Sequence, residues 1–227
     1  SMVSTMRHLM DDIIEQEGQK RRSELEVLQS QINPHFLYNT LDSVIWMTEA
    51  GRYEEAIQMV TSLARLFRIS LSRGKSIIPR HYMNIQQIRY KNKFTTQINA
   101  LPGTDGLYTM KLIVQPILEN AIYHGMASAE DDGLITVTAR REGEDLVIDV
   151  ADNGLGMRPE VAASLLDEDR PEIRTSGSGI GVRNVHRRIR LTFGDRYGLT
   201  IFSEPDEGTT VRIRLPALDQ DGAAQYQ

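Results

Sequence analysis

The sequence predicts an α+β chain, an N-terminal helical hairpin followed by a two-layer α/β sandwich, and two observations carry that expectation. In the first third, apolar residues recur at three-four spacing, the mark of amphipathic helices. In the remainder, short alternating apolar stretches bounded by Gly, Pro and Asp alternate with helical patterns, as in strand hairpins backed by helices. At 227 residues, 40% hydrophobic and 25% charged, the chain can bury one large core or two modest ones. A net charge of -5 gives no support to nucleic-acid binding. Without cysteine there is no disulfide framework or thiolate metal site. No apolar run approaches a membrane span, and no secretory pattern is present.

Residues 1–24 read as a charged helix whose seam at Met6, Leu9 and Ile13 decays into Gln16, Gly18 and Lys20, as expected of a signal-transmitting helix. Residues 25–75 read as the hairpin. Leu25, Leu28 and Ile32, then Leu37, Leu41, Val44 and Ile45, define a first helix that should stop near Gly51, a residue suited to a left-handed cap. Ala56, Ile57, Val60, Leu63, Ala64, Phe67 and Leu71 define a second over 53–72. These apolar faces are too wide for two helices alone, so a homodimer completing a four-helix bundle is expected.

Within QINPHFLYN (31–39), Pro34 interrupts the first helix at a cost of about 3 kcal/mol. The bend would present His35, whose imidazole is a neutral nucleophile near pH 7. Taken alone, the stretch reads equally as a kinked core helix with an incidental histidine.

After a linker at 76–82, residues 83–216 read as the sandwich: helices over 83–91, 108–124 and 180–193, and strands over 94–98, 134–140, 146–151, 197–203 and 210–215. The polar spacer 158–176, with Pro159 and Pro171, has the character of a lid. The small, polar tail 217–227 is expected to fray. His8, His81 and His186 read as surface or linker residues.

Three stretches of this half belong together: QPILENAIYHG (115–125) in a helix, DNGLGM (152–157) directly after a strand, and GSGIGVRNV (177–185) directly before a helix. Glycines let backbone amides approach phosphates without a Cβ in the way, and a helix N-terminus attracts anions. Asn120 offers a neutral oxygen to Mg²⁺, a hard cation that keeps several waters. Asp152, at a strand end, can accept a hydrogen bond from an exocyclic amine.

On these motifs the second half resembles the Bergerat-type ATP-binding domain of sensor histidine kinases and related GHKL ATPases. The first half, with its Asn-Pro-His core, resembles the histidine-containing domain of LytS/YesM-like sensor kinases. The resemblance covers roughly 25–216. It implies ATP and Mg²⁺ as cofactors, His35 as phosphoacceptor, Asn120 as metal ligand and Asp152 as reader of adenine. It further implies that Gly154, Gly156, Gly177, Gly179 and Gly181 frame the lid and that Thr209 supports Asp152. Asn39, one helical turn after His35, would orient a water for phosphatase chemistry on the regulator. The partners implied are a second copy and a response-regulator receiver domain, with the chain the cytoplasmic piece of a membrane protein whose sensor region lies N-terminal to it.

The chain departs from that pattern in three places. Phe36 stands where many histidine kinases carry an acid, leaving the general base unassigned. Tyr123 replaces a lysine three residues after Asn120, so Arg183 or His124 is expected to meet the phosphate charge. The linker is short, and a segment of about eight residues, two helical turns, is expected to be lost between Pro79 and Arg80. The alternatives are a GHKL-type ATPase clamp or chaperone and a catalytically degenerate dimeric scaffold. The clamp would need a glutamate four residues before Asn120, where this chain has Pro116.

Overall fold

A computed structural model of the chain describes residues 34–71, 80–90, 93–110, 113–126, 132–167 and 180–223. Two compact units are present, with the division between Ala56 and Ile57. Helix α1 spans Pro34–Glu49 and α2 spans Tyr53–Leu71. Between them Gly51 takes φ +74°, and its amide donates to the Thr48 carbonyl at 3.1 Å while Arg52 N donates to the Met47 carbonyl at 2.8 Å. These paired bonds satisfy two of the carbonyls a helix end leaves open, and glycine adopts the left-handed conformation without strain. The expected stop at Gly51 is therefore a cap with a defined bond pattern.

Along α1, Thr40, Ser43 and Thr48 each return their hydroxyl to the carbonyl four residues earlier, at 2.7 to 2.8 Å. Phe36, Thr40 and Met47 are buried, whereas Tyr38, Leu41, Ile45 and Trp46 are exposed. On α2, Ala56, Met59 and Leu63 are buried, and Tyr53, Ile57 and Val60 are exposed. Each helix thus carries an apolar row open to solvent. The lead-in helix and the turn preceding Pro34, against which the bend expected at Pro34 would be seen, lie outside the described residues, as does Pro79 and with it the bond at which a lost segment is expected.

The second unit is built on one five-stranded sheet. Helix α3 is Arg80–Arg89, three residues earlier in its start than the pattern suggests. The strands are β1 (Phe94–Ala100), β2 (Gly133–Glu142), β3 (Asp145–Asp152), β4 (Gly198–Glu204) and β5 (Gly208–Pro216). Their order is β1-β2-β3-β5-β4, with β1 parallel to β2 and every other pair antiparallel. Between β1 and β2 the chain crosses over through α4 (Gln115–Asn120). Two further helices, α5 (Pro159–Leu165) and α6 (Ile180–Phe193), lie between β3 and β4, and a short α7 (Gln220–Ala223) follows β5.

The helix expected over 108–124 starts seven residues late. Tyr108 is held extended by donating its amide to the Leu218 carbonyl at 2.8 Å. Pro116 occupies the first turn of α4, where its missing N–H costs nothing; in the interior of a longer helix it would break the ladder.

Cross-strand register assigns the two sheet faces. Ile135 and Val137 of β2, Ile148 and Val150 of β3, and Val211 and Ile213 of β5 are buried on the helix side. There α4 and α6 pack against each other and α6 against β4 and β5. On the other face Asp149 accepts from Arg140 at 2.6 Å and from Arg212 at 2.8 Å. Asp145 there accepts from Arg214 at 2.7 Å and Arg196 at 3.1 Å. Val147, between them in the strand, is fully buried although it faces the open side.

Burial alone would raise the Asp149 and Asp145 pKa values, but their arginines hold both below the ordinary carboxylate range. Carboxylates of that kind contribute stability above their unfolded pKa of about 3.9, and the contribution is lost as pH falls through the lower folded value. Asp149→Ala leaves Arg140 and Arg212 facing each other across a half-buried site. We expect it to lower unfolding stability by about 1–3 kcal/mol in urea at pH 7. The deficit should shrink as both proteins are taken below about pH 3.9, where the wild-type carboxylate is progressively neutralised.

Candidate functional site

Leu146, Ile148 and Val150 of β3 point to the helix layer, and period-two alternation carries Asp152 to the same face at the strand end. A carboxylate is thereby placed where the pattern would otherwise put another core residue. Its cross-strand partner is Thr209 of β5. Gly154 N donates to Asp152 Oδ1 at 3.0 Å, and the Thr209 amide donates to the same carboxylate. Burial outweighs both bonds and pushes the Asp152 pKa up to about 6.

The floor beneath Asp152 is a glycine backbone. A Cβ on Gly125 would lie 2.6 Å from Asp152 Oδ1, and one on Gly154 would run into the Gly125 carbonyl. Gly156, at φ +61°, could carry no side chain without striking the Glu204 carbonyl. The DNGLGM loop therefore lies directly on the turn that follows α4 and on the β4–β5 turn. Asn153 fastens its start, accepting from Leu134 N at 2.7 Å and donating to the Asp132 carbonyl at 3.1 Å.

Past Asn120 the helix widens into a π-helical turn, Ala121–Gly125, closed by Met126 N donating to the Ala121 carbonyl at 3.1 Å. Such turns insert one residue and re-aim the side chains that follow. The helix expected through residue 124 is therefore α-helical only to Asn120 and π-helical beyond it. Glu119 accepts from Gln115 Nε2 at 3.1 Å. Its charge also adds to burial in raising the phenol pKa of Tyr82, on α3.

These elements enclose a cavity of about 350 Å³. Asp152, Thr209, Asn120, His124 and Gly156 line it, with apolar walls from sheet, loop and α5, including Val150, Val211, Leu155, Met157 and Val161. One carboxylate at the end of an apolar slot suits a flat heteroaromatic ring carrying a donor. Among the described residues, no three His, Cys, Asp or Glu side chains are grouped to hold a metal. Asn120 offers a neutral oxygen donor, of the kind used beside waters and ligand phosphates for a hard cation.

The structure brings five of the sequence-derived residues to this cavity: Asn120, His124, Asp152, Gly156 and Thr209. Gly154 supports it from behind. Tyr123 is 45% exposed and outside the lining. Gly181 approaches Pro116, its hypothetical Cβ 3.2 Å from the proline Cβ, which marks it as a close helix contact. Arg183 is half-buried on α6. Gly177 and Gly179 lie outside the described residues. The spacer expected to be a lid forms the short helix α5 in its first part, and residues 168–179 lie outside the described set. His35 lies in the first turn of α1, and half-buried Asn39 follows one turn later in the same helix. His186 is not a bare surface residue: its Nδ1 accepts from Leu199 N at 3.0 Å and ties α6 to β4.

Three contributors escaped the sequence reading. Gly125 closes a motif and passes for a helix cap. The apolar wall of α5 hides in a polar spacer, and Ser203, whose hydroxyl accepts from Met157 N of the loop at 2.8 Å, sits in an ordinary strand pattern.

Residues 23–94 match the family described as Histidine kinase, and residues 108–219 match Histidine kinase-, DNA gyrase B-, and HSP90-like ATPase. The chain is 34% identical to the sensor histidine kinase YesM of Bacillus subtilis, over 96% of this chain and 38% of that protein. It is 31% identical to the sensor histidine kinase BtsS of Escherichia coli, over 90% of this chain and 35% of that protein. An uncharacterized Bacillus subtilis protein, YwpD, is 30% identical over 91% of this chain and 74% of its own length. The chain thus spans little more than a third of the length of the two sensor kinases.

The buried carboxylate makes a sign-definite prediction. Asp152 should titrate at about 6 by carbon-detected NMR, against about 3.9 in the unfolded chain. Because the folded value is the higher one, ionisation costs stability as pH rises between about 4 and about 6. Asp152→Asn should remove that loss, and a parallel pH dependence in the two proteins would contradict it.

Proposed function

The chain belongs to the sensor histidine kinase family, and from that premise we propose that it transfers the γ-phosphoryl group of ATP to His35 and then to an aspartate of a response-regulator receiver domain. The observation that carries the ATP site is the Asp152 carboxylate at the end of an apolar cavity, on the face shared with Thr209, in a lining that also includes Asn120. When ionised, Asp152 accepts from the adenine amine, and the Leu155, Met157 and Val161 walls take the ring. Asn120 would hold Mg²⁺, which supplies neutralisation of phosphate charge. His124 and Arg183 are the residues proposed to meet the remaining phosphate charge, in the absence of a lysine at Tyr123. Gly177, Gly179 and Gly181 belong to the proposed lid, with Gly154 and Gly156 shaping the loop opposite.

His35 acts unprotonated. Its ring nitrogen forms the bond to γ-phosphorus as the bridging P–O bond breaks and ADP leaves. Positioning contributes most of the acceleration in such a transfer. The water-activating alternative is not favoured, since Pro116 stands where the base would be needed and Glu119 is not among the residues lining the cavity. The exposed apolar rows of α1 and α2 support a homodimeric bundle formed by 25–75, with 83–216 as the ATP-binding domain. Asn39 is proposed to serve dephosphorylation of the regulator. Among the described residues no helix is long and apolar enough to cross a membrane. Membrane attachment of a longer protein, through a sensor region, is a separate part of the same proposal.

Incubation with radiolabelled ATP should give acid-labile, alkali-stable label on the protein. His35→Gln should lose the label and keep ATP affinity within about twofold by calorimetry; label retained at another residue would refute the assignment. The rate should fall as pH drops through about 6.5, where the imidazole becomes protonated. Asn120→Ala should lose most of its stimulation by Mg²⁺ while retaining metal-free nucleotide binding.

A further inference from the structure

Behind the cavity, three hydrogen bonds converge on one hydroxyl that does not line it. Ser203 Oγ donates to the Gly208 carbonyl at 2.9 Å. It accepts from Met157 N, in the DNGLGM loop, at 2.8 Å. It also lies 2.8 Å from Thr209 Oγ1. A serine hydroxyl has a single proton, and a carbonyl oxygen can only accept. The Ser203 proton is therefore committed to Gly208, and the third bond must run from Thr209 to Ser203. With its own proton spent backwards, the Thr209 hydroxyl can offer the cavity only lone pairs. Thr209 and Asp152 in its ionised form then present two acceptors side by side, and Thr209 cannot turn into a donor while its proton is held by Ser203.

The carbonyl that holds Ser203 is itself tightly placed. Gly208, at φ +102°, lies so close to the Asp152 backbone that a Cβ would strike the Asp152 carbonyl. Asp206 N donates to the Leu155 carbonyl at 2.7 Å, so the same turn grips the loop a second time.

We propose that Ser203 is a positioning residue that fixes the hydrogen-bond polarity of Thr209, and through it the selectivity of the cavity for a 6-aminopurine over a 6-oxopurine. This rests on the nucleotide reading above. A 6-amino group brings donors to paired acceptors, directly or through a water. A 6-oxo group brings lone pairs against lone pairs, and a buried acceptor with no donor is penalised more than a lost bond alone. Without Ser203 Oγ, the Thr209 hydroxyl is released to rotate and donate to the 6-oxo group.

The test is calorimetric binding of ATP and inosine triphosphate, which differ at the 6-position and in the N1 proton, to the full chain. The wild type should prefer ATP. Ser203→Ala should cut the ATP-to-inosine affinity ratio by about tenfold, the scale of one hydrogen bond changing sign. Ser203→Thr, which keeps the hydroxyl, should restore the ratio. A purely structural serine would weaken both nucleotides together and leave the ratio unchanged, and that result overturns the proposal. So does a ratio that falls as far in Ser203→Thr. Should thermal melting show Ser203→Ala unfolded, Thr209→Val removes the hydroxyl directly, and undiminished discrimination in it overturns the proposal as well. If the wild type binds neither nucleotide, the ATP reading itself falls, an outcome distinct from binding without discrimination.

Discussion

The close approach of Asp152 to the backbone of Gly125 is the constraint on which the second unit depends. An ionisable group sits at the end of the most buried strand, where only main-chain atoms leave room for it. The surrounding glycines follow from that one placement. Gly154 must lie against Gly125, Gly208 against the Asp152 carbonyl, and Gly156 against Glu204, so loop, helix end and turn are drawn to one point. A side chain at any of the four would move the carboxylate or the loop that covers it. The raised pKa of Asp152 is the electrostatic consequence of the same burial.

The opposite face of the sheet balances this arrangement with different chemistry. Asp149 and Asp145 each join two arginines and keep their carboxylates readily ionised. The arginine side chains, charged at their tips and apolar along their stems, suit a face that carries the buried Val147 beside Arg140 and Arg214, its cross-strand partners. Two acids of β3, three residues apart, thus have opposite pKa displacements. Asp149 has guanidinium partners on the open face, and Asp152 has only two backbone amides on the helix face. Strand parity is what separates an aspartate that stabilises the sheet from one available to a ligand.

Polarity at the site is organised one layer back from the cavity. Ser203 touches the loop, the turn and Thr209; the Gly208 carbonyl and the Met157 amide fix the direction of two of its bonds, and the third follows because the serine has one proton. The π-helical turn after Asn120 shapes the wall on that side, where His124 lines the cavity and Tyr123 does not. In α1 the corresponding local features are the hydroxyl bonds back to preceding carbonyls and the capped end at Gly51.

Much of this was legible in the chain alone, for a physical reason. The helix stop at Gly51, the five strands and the position of Asp152 at a strand end are local. They depend on backbone freedom, side-chain alternation and the breaking power of proline, all of which act over a few residues. Pro116 carried such a signal for the start of α4, but the apolar periodicity on both sides of it was the stronger pattern. What only the tertiary structure decided concerns atoms distant in sequence. The extended pairing of Tyr108 with Leu218, the face that α5 adds to the cavity, the tie from His186 to Leu199 and the direction of the bond between Thr209 and Ser203 arise between segments 6 to 110 residues apart. A hydrogen bond has a donor and an acceptor only once both are in place, and no spacing within a motif records which atom will give the proton.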